Sequence, residues 1–115
     1  MTTFTIPFPP TVNHMIKSSG SKRYLSREYE AFNGMVGIIV KRERVPSFGD
    51  KKIALAIELC WPNKRKGDLD NRCKAVQDSL MKAGVMDDDS QVDQLHVKRG
   101  PIVKGGCAIV TVEAL

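Results

Sequence analysis

The sequence predicts a single α+β domain, in which a small mixed β-sheet packs with two helices in the order β-α-β-α-β-β. Two stretches carry apolar residues at the helical spacing of three and four, three others alternate as strands do, and a fourth stretch can form a strand. The 115 residues suffice for one modest core and are too few to divide, so one domain over residues 1–115 is expected. Apolar (42%) and charged (27%) contents are ordinary for a globular chain, which argues against disorder.

The first half of the chain predicts one strand and one helix. Polar and apolar residues alternate over residues 3–7, and Pro9 and Pro10 then prevent further strand pairing. Ser26 is a good N-cap for a helix over residues 27–44. The apolar positions of that helix recur at helical spacing and are expected to face the core. They are Tyr29, Phe32, Val36, Ile39 and Val40.

A long loop is predicted between the first strand and this helix. It contains turn formers, an aromatic residue and several cations, and long loops in compact domains are usually functional or disordered. Contact with phosphate and a plain mobile surface loop are both compatible with these residues. The residues proposed here for DNA contact are Asn13, Lys17, Lys22 and Arg23.

The second half predicts three strands and one helix. Residues 53–60 alternate as a strand, residues 92–99 form another, and residues 107–113 form the last one. Between the first two, apolar residues step by four and three over residues 70–83, which predicts a helix. Asp68 or Asp70 is expected to cap its start, and Gly84 fits the left-handed position just past its end. Lys74 should form i,i+4 pairs with Asp70 and Asp78.

Two acidic clusters flank this second helix. Asp68 and Asp70 lie at its start, and residues 87–89 are three consecutive aspartates after its end. If the later loop folds back past the start of the helix, the clusters form a carboxylate cage. Lys74 alone carries too little positive charge to offset their repulsion, so a hard divalent cation such as Mg²⁺ is implied. The plainer alternative is a helix start that favours acids and a solvated Asp-rich turn.

A metal held by these acids would suit the hydrolysis of a phosphodiester. Bound Mg²⁺ can orient a hydroxide for in-line attack and offset charge on the leaving oxygen. Lys74 would stabilise charge on the phosphate or orient the attacking water. The net charge of +5 and the pI near 9.3 agree with a polyanionic substrate held by the basic body of the protein. The basic run Lys64, Arg65 and Lys66 directly precedes the first acidic cluster.

Other classes of function lack a signal. No apolar run is long enough to span a bilayer, and the N-terminus does not have the pattern of a signal peptide, so the cytoplasm is expected. Three cysteines without C-x-x-C spacing indicate neither a disulfide framework nor a zinc site. His14 and His96 have no partner at the spacing of a metal ligand or a nucleophile.

The motifs around the second helix identify a family. Residues 68–78, DLDNRCKAVQD, followed by residues 83–92, AGVMDDDSQV, resemble the RusA-type Holliday junction resolvases, which are common in bacteria and their phages. The likeness extends to residues 8–13 and 104–106. The resemblance implies a homodimeric, magnesium-dependent endonuclease that binds four-way DNA junctions. Such an enzyme nicks two opposed strands symmetrically, because a twofold dimer brings two identical sites to two related phosphates.

The resemblance also implies roles for particular residues. By position, Asp68, Asp70 and Asp89 correspond to the metal-binding acids, Asp88 lies beside them, and Lys74 corresponds to the catalytic lysine. Two positions depart from the family pattern. Gly67 stands where many relatives carry a basic residue, and Met15 stands where an aromatic residue is frequent.

Three alternatives to junction resolution are compatible with the sequence. The protein could be a magnesium nuclease for flap or other branched DNA, and comparing cleavage of junctions, flaps and duplex would separate the two activities. It could be a junction-binding module that does not cleave. It could also be a structural domain with solvated acidic turns, in which case it would not bind junction DNA at low salt.

Overall fold

The computed structural model describes residues 1–11, 16–19, 22–65 and 67–115, and for residues 16–19 and 22–25 the backbone alone. The elements in chain order are β1 (Thr2–Ile6), β2 (Ile16–Ser19), β3 (Lys22–Leu25), α1 (Arg27–Arg42), β4 (Ile53–Cys60), α2 (Asp70–Lys82), β5 (Val92–Arg99) and β6 (Cys107–Ala114). A short 3₁₀ turn, Asp89–Gln91, leads into β5. No helix in the described part of the chain is long and apolar enough to cross a membrane.

The main sheet has four strands in the order β1-β6-β4-β5. β4 and β5 are parallel, and the other neighbouring pairs are antiparallel. A parallel pair needs a crossover connection, and α2 supplies it between β4 and β5. The predicted α+β fold, with a mixed sheet and two helices in the predicted order, is thereby confirmed.

A second, two-stranded sheet lies where the sequence predicts only a loop. β2 and β3 pair antiparallel, with Ile16 opposite Leu25 and Ser19 opposite Lys22. The prediction of a loop without strands was wrong here. Strands of four residues that are rich in Lys, Arg and Ser carry almost no apolar alternation, so periodicity does not detect them.

The core lies between the helices and one face of the main sheet. Every second residue of β4 is 1% exposed or less, and these side chains pack with the buried faces of α1 and α2. The four β4 residues are Ile53, Leu55, Ile57 and Leu59. The predicted apolar stripe of α1 is buried in full. Its residues and the matching stripe of α2 fix both helices against the sheet.

The helix ends are set by caps, one of which differs from the prediction. The hydroxyl of Ser26 accepts a hydrogen bond from the amide of Tyr29 at 3.2 Å, so the predicted cap of α1 is confirmed. For α2, the predicted cap by Asp68 or Asp70 was wrong. Leu69 is the N-cap residue, has helical φ and ψ, and makes no side-chain capping bond. Neither aspartate therefore caps the helix. Gly84 has the predicted positive φ, 81°.

Candidate active site

A stack of aromatic rings and guanidinium groups supports the loop between β4 and α2. Trp61 directly follows β4, is 5% exposed, and meets the ring of Phe8 edge-on at 5.0 Å between centroids. The guanidinium of Arg99 lies 4.0 Å from the Trp61 centroid, and that of Arg72 lies 4.5 Å from the Phe8 centroid. Cations over aromatic faces are attracted by the ring quadrupole. This stack fixes the loop that delivers the first acidic cluster.

Gly67 packs directly against this stack. A Cβ atom at this position would lie 2.9 Å from two atoms of the Trp61 ring, closer than real Cβ contacts come. Its carbonyl accepts a hydrogen bond from Nη2 of Arg99. The close approach of Trp61 requires glycine at position 67, since any side chain would displace Trp61 or the loop. Arg99 places a guanidinium at the same loop.

Both aspartates of the first cluster are exposed. Asp68 lies in the loop, and Asp70 is the first residue of α2. Among the ion pairs of the described residues, neither carboxylate takes part in one. The predicted pair between Asp70 and Lys74 is therefore not formed. Both carboxylates are free to accept a cation from solvent.

Lys74 connects α2 with the second acidic cluster. Its Nζ lies 3.4 Å from Oδ1 of Asp78, which is the predicted i,i+4 pair, and 4.0 Å from Oδ2 of Asp89. Oδ2 of Asp78 in turn accepts a hydrogen bond from the hydroxyl of Tyr29 at 3.0 Å. The lysine thus lies between two carboxylates, one on its own helix and one from the loop before β5.

The second cluster is ordered by a capping box. The carboxylate of Asp88 accepts hydrogen bonds from the amide of Ser90, at 3.0 Å, and from its hydroxyl. The amide oxygen of Gln91 accepts from the backbone of Asp87 and Asp88, both at 2.9 Å. Such reciprocal bonds satisfy amides that would otherwise lack partners. The hydrogen bonds from Ser90 also lower the pKa of the Asp88 carboxyl.

This box separates the roles of the two neighbouring aspartates. Asp88 is engaged in capping, while the Asp89 carboxylate points to Lys74. The Gln91 side chain also donates to the carbonyls of Gly49 and Lys51, at 2.8 and 2.6 Å, which ties the turn to the loop before β4. The motif of residues 88–92 therefore has a structural basis in its first and fourth positions.

The two acidic clusters are connected to opposite ends of the parallel strand pair. The first follows the end of β4, whereas the second precedes β5, whose Val92 pairs with Ile53 at the start of β4. Within the described residues, no three His, Cys, Asp or Glu side chains are grouped closely enough to hold a metal ion. The closed carboxylate cage is thus not formed by these residues. The Lys74–Asp89 contact is what brings the second cluster to α2.

The residues predicted to contact DNA are only partly described. Lys64 and Arg65 are exposed on the loop after β4, and the Arg65 amide donates to Oδ1 of Asn63 at 2.9 Å. Three others belong to the β2–β3 hairpin, and their side chains lie outside the described residues: Lys17, Lys22 and Arg23. Asn13 and Lys66 lie outside them altogether.

Several side chains at the site were missed or given another role by sequence reasoning. Tyr29 was assigned to the core stripe alone, yet its hydroxyl reaches Asp78. Trp61 and Arg99 carried no periodic or motif signal, and Arg72 lies within the family motif without an assigned role. Their contacts join positions far apart in the chain. Arg72 also donates to the carbonyl of Pro9, and burial lowers its pKa.

Exposed aspartates, a lysine held by acids and a basic loop are the groups expected in a nuclease that acts through a hard cation. Comparison with known proteins agrees. A profile of the family described as Endodeoxyribonuclease RusA matches residues 7–113. The crossover junction endodeoxyribonuclease of Enterobacteria phage HK97 is 33% identical over 103 residues, covering 90% of this chain and 86% of the relative.

Similar proteins from a cellular genome and a second phage give the same result. The crossover junction endodeoxyribonucleases RusA of Escherichia coli strain K12 and of Enterobacteria phage 82 are each 33% identical over 108 residues, covering 94% of this chain and 90% of the relative. The chain therefore belongs to the RusA family of endodeoxyribonucleases. The family predicted from residues 68–92, and the prediction of an endodeoxyribonuclease, are confirmed.

Proposed function

We propose that this protein is a magnesium-dependent endonuclease that resolves four-way DNA junctions by paired symmetric nicks. The names of its relatives support the junction as substrate. The contact between Lys74 and Asp89, 4.0 Å, is the structural observation that supports the active site, because it joins the second acidic cluster to the helix that begins at Asp70.

The chemistry of the donors suits Mg²⁺. Asp68, Asp70 and Asp89 offer carboxylate oxygens, and none of the three is fully buried. Mg²⁺ commonly binds through one or two carboxylates, several waters and substrate phosphates, so an open arrangement fits this ion better than a closed cage would. When bound, the ion supplies a Lewis acid and a water of lowered pKa for attack on phosphorus.

The protein groups have separate tasks in this proposal. Lys74 is the catalytic lysine and stabilises negative charge that develops on the phosphate, since its ammonium is about half exposed and can reach a bound strand. Asp88 and Gln91 hold the turn that presents Asp89. Lys64, Arg65 and Arg99, with the cations of the hairpin, contact the DNA backbone, which contributes affinity rather than sequence preference.

Symmetric cutting requires two copies of this site. We propose a homodimer, because a twofold axis carries two identical sites to two phosphates that are related by the symmetry of the junction. We place the enzyme in the cytoplasm, because its proposed substrate, bacterial or phage DNA, lies there.

The first experiment compares the wild-type protein with Asp70→Asn on a labelled, mobile four-way junction, with Mg²⁺ or with EDTA. We expect nicked duplex products from the wild type in Mg²⁺ alone, and a fall of about 100-fold or more in Asp70→Asn. Asp93→Asn is the matched control, because Asp93 is an exposed acid on β5 that pairs with Lys52.

The other outcomes each point elsewhere. Cleavage that persists in EDTA, or in Asp70→Asn, would contradict the proposed metal site. Binding without cleavage under every condition would favour a junction-binding module. A protein that cut flaps faster than junctions would be a nuclease of another specificity.

A further inference from the structure

Three side chains form a chain of contacts from the core to Lys74. The hydroxyl of Tyr29 donates to Oδ2 of Asp78 at 3.0 Å, and Oδ1 of Asp78 lies 3.4 Å from the ammonium of Lys74. The two oxygens of one carboxylate are thus divided between a buried phenol on α1 and an exposed lysine on α2. Motif residues alone do not indicate this arrangement, since Tyr29 and Asp78 lie 49 positions apart.

The exposed fraction rises steadily from Tyr29 through Asp78 to Lys74. Tyr29 is 1% exposed, the Asp78 side chain 18%, and the Lys74 side chain 55%. A lysine with that much freedom normally loses side-chain entropy on forming a surface ion pair and gains little stability from it. Here the acid is itself fixed by a buried donor, so its position is set before the lysine meets it. The Lys74 ammonium is thereby held in place and is still open to solvent.

Asp89 is a second carboxylate partner of Lys74, and this gives Asp78 a role in holding the lysine. The Lys74 ammonium lies between Asp78 on one side and Asp89 on the other, at 3.4 and 4.0 Å. If Asp89 turns to a cation, Lys74 loses one of its two carboxylate partners. Asp78 remains as the group that keeps the ammonium near the site. A flexible lysine without Asp78 would sample many rotamers and occupy the productive one less often.

We propose that Asp78 is a positioning residue for Lys74, and that the Tyr29 hydroxyl acts through it by fixing the carboxylate. This rests on the proposed function, in which Lys74 contacts the phosphate. Neither Asp78 nor Tyr29 touches the substrate. Their contribution is to the fraction of time that Lys74 spends in the geometry needed for cleavage.

The test measures single-turnover cleavage of a four-way junction at saturating protein, together with junction affinity in EDTA. We expect Asp78→Asn to slow cleavage by about 10-fold, as the loss of a supporting partner does at other sites, with affinity unchanged. Tyr29→Phe should slow cleavage in the same direction by a smaller factor. Glu58→Gln is the matched control with no change expected, because Glu58 forms a comparable partly buried pair with Lys98 at 3.2 Å.

A double-mutant cycle separates positioning from a purely structural role. In a Lys74→Met background, Asp78→Asn should cause no further loss, because it has no lysine left to position. A further loss by the same factor would overturn the proposal, as would an Asp78→Asn protein that cuts at the wild-type rate. Should Asp78→Asn fail to fold, Tyr29→Phe in both backgrounds gives the same test.

A second readout does not depend on cleavage. The NMR signal of the Lys74 ammonium in the full chain reports its mobility directly, and we expect that mobility to rise in Asp78→Asn and Tyr29→Phe but not in Glu58→Gln. If the wild type did not cut junctions, the proposed function would fail, and this signal would still show whether Asp78 and Tyr29 restrain Lys74. Unchanged mobility in both variants would overturn that role.

Discussion

At the scale of single residues, Tyr29 serves the core and the site together. Its ring is buried between α1 and α2, and the Lys82 ammonium lies 5.5 Å from the ring centroid. Burial, and then the hydrogen bond to Asp78, raises the pKa of its phenol well above the ordinary value. A buried tyrosine hydroxyl usually finds a partner, and here the partner is the acid that holds Lys74.

This raised pKa predicts a specific dependence of stability on pH. The unfolded tyrosine loses its proton near pH 10, whereas the folded one keeps it, so its contribution to stability is complete below that pH and declines above it. The free energy of unfolding should fall by up to about 1.4 kcal/mol per pH unit from this group. Tyr29→Phe should lack this component and cost about 1 kcal/mol at pH 8.

Urea unfolding at several pH values between 8 and 11 measures both quantities. The curves for wild type and Tyr29→Phe should converge as the pH rises above 10, because only the wild type has to keep a phenol protonated in the folded state. Parallel curves across the whole range would show that the Tyr29 hydroxyl is not shielded as described.

The three cysteines differ in burial, and the most buried of them is the least reactive. Cys60 and Cys73 are buried, Cys107 is half-buried, and all three thiols are free. Burial, and then the hydrogen bond with Cys107, raises the pKa of Cys60 to about 11. Since the thiolate is the reactive form, Cys60 acts as a small packing residue.

Among the elements, the loop between β4 and α2 is held by its own Trp61 and by two arginines from α2 and β5. Its position follows from Trp61, from the Arg99 hydrogen bond to Gly67 and from Arg72 on the first turn of α2. The helix start beyond it has no side-chain cap. The carboxylates of Asp68 and Asp70 are therefore presented by packing around the loop, with no capping bonds of their own.

Gly67→Ala tests this dependence. The added Cβ would lie 2.9 Å from the Trp61 ring, so the loop or the ring must move. We expect a loss of about 1–3 kcal/mol in stability, as for other overpacked sites, and slower junction cleavage because the acids shift. Thermal unfolding and single-turnover cleavage measure the two effects.

Gly34→Ala is the matched control for that variant. Its Cβ would meet nothing within 4 Å, and alanine is favoured over glycine inside a helix such as α1. It should stabilise the protein slightly and leave cleavage unchanged. If Gly67→Ala behaved like Gly34→Ala, the loop would not be held as tightly as its contacts with Trp61 imply.

At the scale of the whole molecule, charge is distributed unevenly. The net charge is +5, while five of the thirteen acids form the two clusters that flank α2. Exposed cations lie close to the first of them, at Lys64, Arg65 and Arg99. The basic remainder of the protein would therefore attract a polyanion. The two acidic clusters would repel it unless a cation is bound there.

This distribution predicts junction binding that weakens steeply with salt. Replacing Lys64 and Arg65 by alanine should lower affinity and reduce the slope of log affinity against log salt by about 1 for each phosphate that is no longer neutralised. Titrations in EDTA at several salt concentrations measure the slope. Replacing Lys41 and Arg42, in the last turn of α1, is the control, and an equal effect there would argue against a defined DNA surface.

Features that depend on neighbours along the chain could be predicted from the sequence. The strands at residues 53–60 and 92–99, the bodies of both helices, the Ser26 cap and the turn at Gly84 all follow from local periodicity and backbone preference. The family was also evident, since its motifs are short continuous runs. The hairpin of β2 and β3 escaped because its strands are short and polar.

How the acidic clusters relate to each other and to the rest of the protein depends on the packing of distant elements. Parallel pairing of β4 and β5 requires α2 to cross between them, and Lys74 on α2 pairs with Asp89 instead of Asp70. Contacts of Tyr29 with Asp78, and of Arg99 with Gly67, join residues 49 and 32 positions apart. Periodicity reports which face of an element is buried, but which side chains meet across two elements is fixed only when those elements pack.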